Sequence, residues 1–288
     1  MSRRSVLGLS KDGFHRINYC DWGDPSASQV VVCLHGLTRN ARDFDVLARA
    51  LEPHGRIVCP DLVGRGQSDW LVDKSQYAYP QYLADMTAVI ARASAGLAEP
   101  SRIDWVGTSI GGLIGMLLAA QPGNPIRRLV VNDIGPLLPR AARERIATYV
   151  GTAPQFASFE EAERYIRTVS ARFGPLTDAQ WRHLAEHSVH RSATEGWRLN
   201  YDPDIAVTFR ALPQSDIALW DVWDRITCPV LVLRGEQSDL LPRETAEAMT
   251  RRGPRAELVE FAGVGHAPAL MAEDQVDAVR SFLLAQQP

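Results

Sequence analysis

The sequence predicts an α/β fold, a mostly parallel sheet with helices on both faces and one inserted helical cap. Three observations carry that expectation. Short apolar runs alternate with helix-length segments along most of the chain. The alternation stops between about residues 135 and 219, where several amphipathic segments follow one another. A serine flanked by glycines sits where a strand should run into a helix.

The elements follow in order. At the N-terminus, Arg3 and Arg4 precede a few apolar residues that Lys11 and Asp12 cut short. That stretch is too brief for a secretory signal and reads as an edge strand. Residues 29–34 form a continuous apolar run, as expected of a strand covered on both faces. Similar runs occupy 56–59, 101–106, 127–132, 229–233 and 257–261. Helix-like segments lie between most of them, at 43–51, 79–95, 111–120, 243–251 and 273–286.

Residues 136–218 break the pattern. Helical periodicity appears at 140–150, 160–173 and 178–188, punctuated by Pro136, Pro139, Pro154, Pro175, Pro203 and Pro213, with no strand run. This segment is expected to form a helical cap between two sheet strands, with residues 1–135 and 219–288 as the core. A cap so placed would cover the strand C-terminal ends, where open α/β sheets hold their ligands.

Composition narrows the function. The 288 residues are 45% hydrophobic and 23% charged, with a formal net charge of −3. That charge offers no electrostatic reason to expect nucleic acid or an anionic membrane as partner. The small-molecule substrate expected of this chain rests instead on its site chemistry. No apolar run approaches the roughly 20 residues that span a bilayer. Cys20, Cys33, Cys59 and Cys228 are scattered without a disulfide or metal pattern, which points to a reducing cytoplasm.

The chemistry centres on Gly107-Thr108-Ser109-Ile110-Gly111-Gly112. In a tight strand-to-helix turn, side chains at Gly107 or Gly111 would collide with neighbouring backbone, and Ser109 is lifted with its hydroxyl exposed. Ile110 then offers its N–H at a helix N-terminus, where partial positive charge collects. Serine is a poor nucleophile unless a base takes its proton and an acid orients that base. Asp239 follows the strand at 229–233, and His266 lies in a glycine-rich loop after the strand at 257–261. The order Ser109, Asp239, His266 suits a triad at the rim of such a sheet. His35-Gly36-Leu37 follows another strand end, so the amides of Leu37 and Ile110 are expected to form an oxyanion hole.

These pieces, together with the turn Pro60-Asp61-Leu62-Val63-Gly64-Arg65-Gly66-Gln67-Ser68, resemble the α/β-hydrolase fold superfamily, in its capped serine-hydrolase and esterase group. The likeness spans nearly the whole chain and is more specific for fold and triad than for substrate. The elbow is loosely similar to that of intracellular esterases, including hydrolases of hydroxyalkanoate oligomers. The resemblance implies hydrolysis of an ester of a small, fairly apolar acid through an acyl-enzyme, without cofactor or metal. Carbon–carbon hydrolysis of ring-cleavage diketones is an alternative, although that group usually has Asn and Met where Thr108 and Ile110 stand. Lactone hydrolysis is a close variant, acyl transfer to an acceptor other than water another, and a ligand-binding receptor the non-enzymatic reading. Epoxide hydrolases and haloalkane dehalogenases place aspartate at the Ser109 position.

Other polar residues compete for roles. Asp133 also follows a strand, and some relatives carry the triad acid there, but Asp239 sits where most of the superfamily has it. Asp61 reads as the organiser of a tight turn, because Gly64 and Gly66 follow closely. His35 is expected to shape the oxyanion loop, while His15 and His54 read as surface or turn residues. His183-Leu184-Ala185-Glu186-His187, with His190 beyond it, matches a zinc pattern on a helix, but a solvated or pocket-lining helix is the expected reading.

Overall fold

The computed structural model describes residues 1–97, 102–192 and 196–285. Ser101 and Gln286, at the ends of one expected strand and one expected helix, lie outside them.

The first strands are β1 (Ser2–Ser10), β2 (Gly13–Trp22), β3 (Val30–Leu34), β4 (Arg56–Pro60), β5 (Ile103–Thr108) and β6 (Ile126–Asn132). Five short strands follow: β7 (Leu137–Leu138), β8 (Gln155–Phe156), β9 (Val189–Ser192), β10 (Gly196–Leu199) and β11 (Ile217–Ala218). The last two are β12 (Val230–Gly235) and β13 (Glu257–Phe261). The main sheet has eight strands in the order β1-β2-β4-β3-β5-β6-β12-β13. Pairing is parallel from β4 across to β13 and antiparallel for β1 with β2 and β2 with β4. β1 lies at the sheet edge, and β2 adds a strand that has no continuous apolar run to announce it.

Strand periodicity divides the core. In β3, Val30, Val32 and Leu34 face one side of the sheet, and Val31 and Cys33 the other. β12 repeats this, with Val230 and Val232 opposite Leu231 and Leu233. Against the first face pack α2 (Tyr79–Ala93) and α3 (Ile110–Ala119); against the second pack α1 (Asp45–Leu51) and α10, the C-terminal helix (Glu273–Leu284). Each fully buried Val or Leu contributes up to about 1.5–3 kcal/mol relative to exposure, so double coverage stabilises the central strands most. His15 departs from its expected surface position: it is buried in β2 with Nε2 3.0 Å from an Asp85 oxygen, because α2 packs over the hairpin.

Between β6 and β12 the chain leaves the sheet. It forms α4 (Arg140–Ala147), α5 (Phe159–Val169), α6 (Asp178–Ser188), α7 (Ala206–Arg210) and α8 (Trp220–Trp223). The remaining helix, α9 (Arg243–Met249), lies between β12 and β13. Ser158 caps α5 by accepting the Glu161 N–H, and Thr177 with Gln180 forms a capping box on α6. The expectation of no strands here is corrected. β8, β10 and β9 form a small sheet, and β7 pairs with β11 where the segment departs and returns. Strands of two to four residues carry too little alternation to be read from a sequence.

Candidate active site

β5 ends in a turn that only glycine permits on either side of Ser109. Ser109 has φ 53°, a left-handed conformation that is strained for a residue with a side chain. A Cβ at Gly107 would lie 2.2 Å from the Gly111 carbonyl oxygen, and one at Gly111 would lie 2.1 Å from that of Leu34. The turn therefore nests against β3, and Ser109 stands at the start of α3.

His266 is carried by the loop after β13. That loop is held from both sides: the Gly265 N–H donates to the Arg172 carbonyl at 2.7 Å, and Gln237 N–H donates to Val264 O at 2.8 Å. A Cβ at Gly235 would come within 2.3 Å of the Gly265 oxygen, so the end of β12 must be bare for the loop to settle. In this position Nε2 of His266 lies 2.9 Å from Ser109 Oγ.

The acid partner differs from the expected one. Nδ1 of His266 is 2.8 Å from Oδ2 of Asp133, not from Asp239. Asp133 is fully buried at the end of β6 with φ 58°, which turns its carboxylate toward the end of β12. Gly235 N–H donates to its Oδ1 at 2.8 Å and Ser238 Oγ–H to its Oδ2 at 2.6 Å. A carboxylate only accepts, so Nδ1 carries the imidazole proton and Nε2 is free to accept from Ser109.

Asp239 is engaged elsewhere. Both its oxygens accept from Arg145 of α4, at 2.5 and 2.8 Å, and Arg172 lies 3.6 Å away. Partial burial would raise its pKa, but Arg145, Arg172 and a backbone hydrogen bond together outweigh this and hold it below the ordinary value. The correction has a plain cause: the arginine that captures Asp239 comes from the insertion, far away in sequence.

The expected oxyanion donors line the same cavity as Ser109 and His266. Ile110 opens α3, so its N–H has no intrahelical acceptor. The Leu37 N–H has no backbone acceptor among the described residues. Two buried side chains hold the Leu37 loop. Burial lowers the His35 pKa to about 4, so the ring is neutral, donating from Nδ1 to Gly36 O at 2.7 Å and accepting the Leu62 N–H at Nε2. Arg65 donates to the Leu37 carbonyl at 2.9 Å from within the 60–68 turn. Sequence reasoning missed Arg65, and its only signal was a cation between two glycines. Asp61 stays in that turn, accepting Ala41 and Gln67 N–H groups, and burial pushes its pKa up to about 6.

The cavity over Ser109 encloses about 1220 Å³ including its open mouth. Its walls are mainly apolar, with Leu113, Ile134, Leu138, Ile146, Ile166 and Phe209 among them, and many come from residues 137–212.

One group among the described residues has donors close enough for a metal ion: Asp45, His183 and His187, with ligand atoms within 4.8 Å of one another. His190 is not part of it, since it lies exposed on β9 rather than on the helix. Arg42 already holds both oxygens of Asp45. None of these residues lines the cavity over Ser109.

The fold and the Ser109 turn define an α/β-hydrolase. The alpha/beta hydrolase family model matches residues 31–279, and the chain belongs to this family. The chain is 46% identical over 285 residues to the 3-hydroxybutyrate-oligomer hydrolase of Cupriavidus necator, covering 96% of each. A Rickettsia typhi chain solved as a candidate hydrolase superposes with a TM-score of 0.91 at 30% identity, over 100% of both chains. An alpha/beta hydrolase from Novosphingobium aromaticivorans superposes with a TM-score of 0.85 at 38% identity, over 98% of both. No helix of the described residues is long and apolar enough to cross a membrane.

Proposed function

We propose that this protein hydrolyses carboxylic esters of small hydroxy acids, with Ser109, His266 and Asp133 as its triad. The observation that carries the reading is the continuous hydrogen-bond path from Asp133 through His266 to Ser109, at 2.8 and 2.9 Å, at the floor of an apolar cavity. The similarity to a 3-hydroxybutyrate-oligomer hydrolase supports the choice of acid.

Ser109 Oγ attacks the ester carbonyl carbon as its proton passes to His266 Nε2. The carbonyl electrons move onto oxygen, where the Leu37 and Ile110 amides stabilise the charge; losing one such donor typically costs about 10²–10³ in rate. Asp133 holds the imidazole in its reactive tautomer and stabilises its cation. His266 then gives the proton to the departing alkoxide and the alcohol leaves. Water, deprotonated by the same nitrogen, attacks the acyl-enzyme and releases the acid and Ser109. Residues 136–218 act as the cap that supplies the apolar walls. The free cysteines, three of them buried, support a cytoplasmic site of action.

The test is a substrate screen with Ser109→Ala as control. It compares 3-hydroxybutyrate oligomers, p-nitrophenyl esters of rising chain length, a ring-cleavage diketone and a lactone. Ester turnover with a mass increase on Ser109 is expected. Full activity in Ser109→Ala, or turnover of the diketone alone, would overturn the reading.

A further inference from the structure

The charged groups lining the cavity over Ser109, His266 aside, are four arginines, Arg39, Arg143, Arg145 and Arg172, and no Asp or Glu lines it. Three have carboxylate partners that do not themselves line the cavity. Arg39 is held bidentately by Asp43, and Arg145 and Arg172 share Asp239. Four cations against two carboxylates leave this wall formally positive by two.

Arg143 is the exception. It is only 7% exposed, and among the described residues its partners are backbone carbonyls with no carboxylate. Nη1 donates to the Pro213 carbonyl at 2.9 Å and Nη2 to that of Ser215, while Nε is buried with no protein acceptor among the described residues, so the head group has only neutral partners. A buried cation is costly unless paired, and carbonyl dipoles compensate only part of its charge. Fastening α4 to residues 213–215 needs two N–H donors, not a full charge. A guanidinium that lines a mostly apolar substrate cavity and is paired with carbonyls alone keeps an uncompensated charge that an anionic ligand would neutralise.

We propose that Arg143 binds the free carboxylate of the substrate, making this chain selective for anionic oligoesters of hydroxy acids. This rests on the reading that Ser109 hydrolyses esters. In such an oligomer every ester has its carbonyl on the acyl side, and the chain's free carboxylate is always on the alcohol side. Arg143 therefore reads the leaving group. Capture of that end places a scissile ester near the carboxyl terminus over Ser109, and hydrolysis releases the carboxyl-terminal piece as a hydroxy acid. The rest stays on Ser109 until water removes it.

The experiment compares the 3-hydroxybutyrate dimer as free acid with its methyl ester, in wild type, Arg143→Met and Arg143→Lys. Wild type is expected to favour the free acid by about 10-fold or more in kcat/KM, and Arg143→Met to raise KM for the free acid by about 10–100-fold. Turnover of the methyl ester stays within about threefold, which also shows that the variant is folded. Arg143→Lys recovers part of the loss. Equal losses on both substrates would assign Arg143 a purely structural role and overturn the proposal, as would a wild type indifferent to the methyl group. Calorimetric binding of the free acid to Ser109→Ala, lost on adding Arg143→Met, supports the carboxylate site even where ester turnover fails. No binding there overturns it independently of the hydrolase reading.

Discussion

Asp133 Oδ2 lies 2.8 Å from Nδ1 of His266, although the two residues are 133 positions apart and a strand, β12, separates their parent strands in the sheet. Three donors converge on that buried carboxylate: the imidazole, the Gly235 amide and the Ser238 hydroxyl. Asp239, one loop away, answers to arginines instead.

Asp133→Asn is therefore expected to lower kcat by about 10⁴, because the amide stabilises the wrong imidazole tautomer while the geometry survives. Asp239→Asn should keep kcat within a few-fold of wild type. Steady-state kinetics on one p-nitrophenyl ester separates them, and the opposite pattern would return the acid role to Asp239.

The Ser109 turn depends on the missing side chain of Gly111. In Gly111→Ala the new methyl would sit 2.1 Å from the Leu34 carbonyl oxygen, so β3 and α3 must separate. A loss of about 3 kcal/mol or more is expected in urea denaturation. Gly123→Ala meets nothing within 4 Å and bears only the strain of its φ of 72°, so it should lose about 1 kcal/mol.

His35 predicts a pH dependence of stability. Its folded pKa is lowered to about 4 by burial, from an ordinary 6.5. Below 6.5 the unfolded chain binds the proton more readily, so stability falls as pH drops from 6.5 toward 4, by on the order of 3 kcal/mol. Buried Asp61, raised to about 6, acts in the opposite sense, losing stability as pH rises between 3.8 and 6. The His35 contribution is thus read as the difference between wild type and His35→Gln. That difference should shrink as pH falls through this window, and a difference independent of pH would refute the assignment.

Metal removal should leave ester hydrolysis unchanged. The Asp45, His183 and His187 group lines no part of the cavity over Ser109. Dialysis against a chelator followed by an activity assay checks this, and a loss restored by one divalent ion would place a metal in the reaction.

The sequence by itself determined the α/β architecture, because double-sided burial demands continuous apolar strands and such runs are visible one residue at a time. It also singled out Ser109 and His266, since a tight strand-to-helix turn and a glycine-rich loop are local demands on backbone conformation. The carboxylate that meets His266 was not local. Asp133 and Asp239 both follow apolar strands, and nothing within either loop distinguishes them. The choice came from a left-handed backbone at Asp133 that aims its carboxylate across β12, and from an arginine on α4 that holds Asp239. Arg143 belongs to the same class: its pairing with carbonyls rather than a carboxylate is set only once α4 meets residues 213–215. Charge pairing depends on which distant elements meet, and only the tertiary structure decided that.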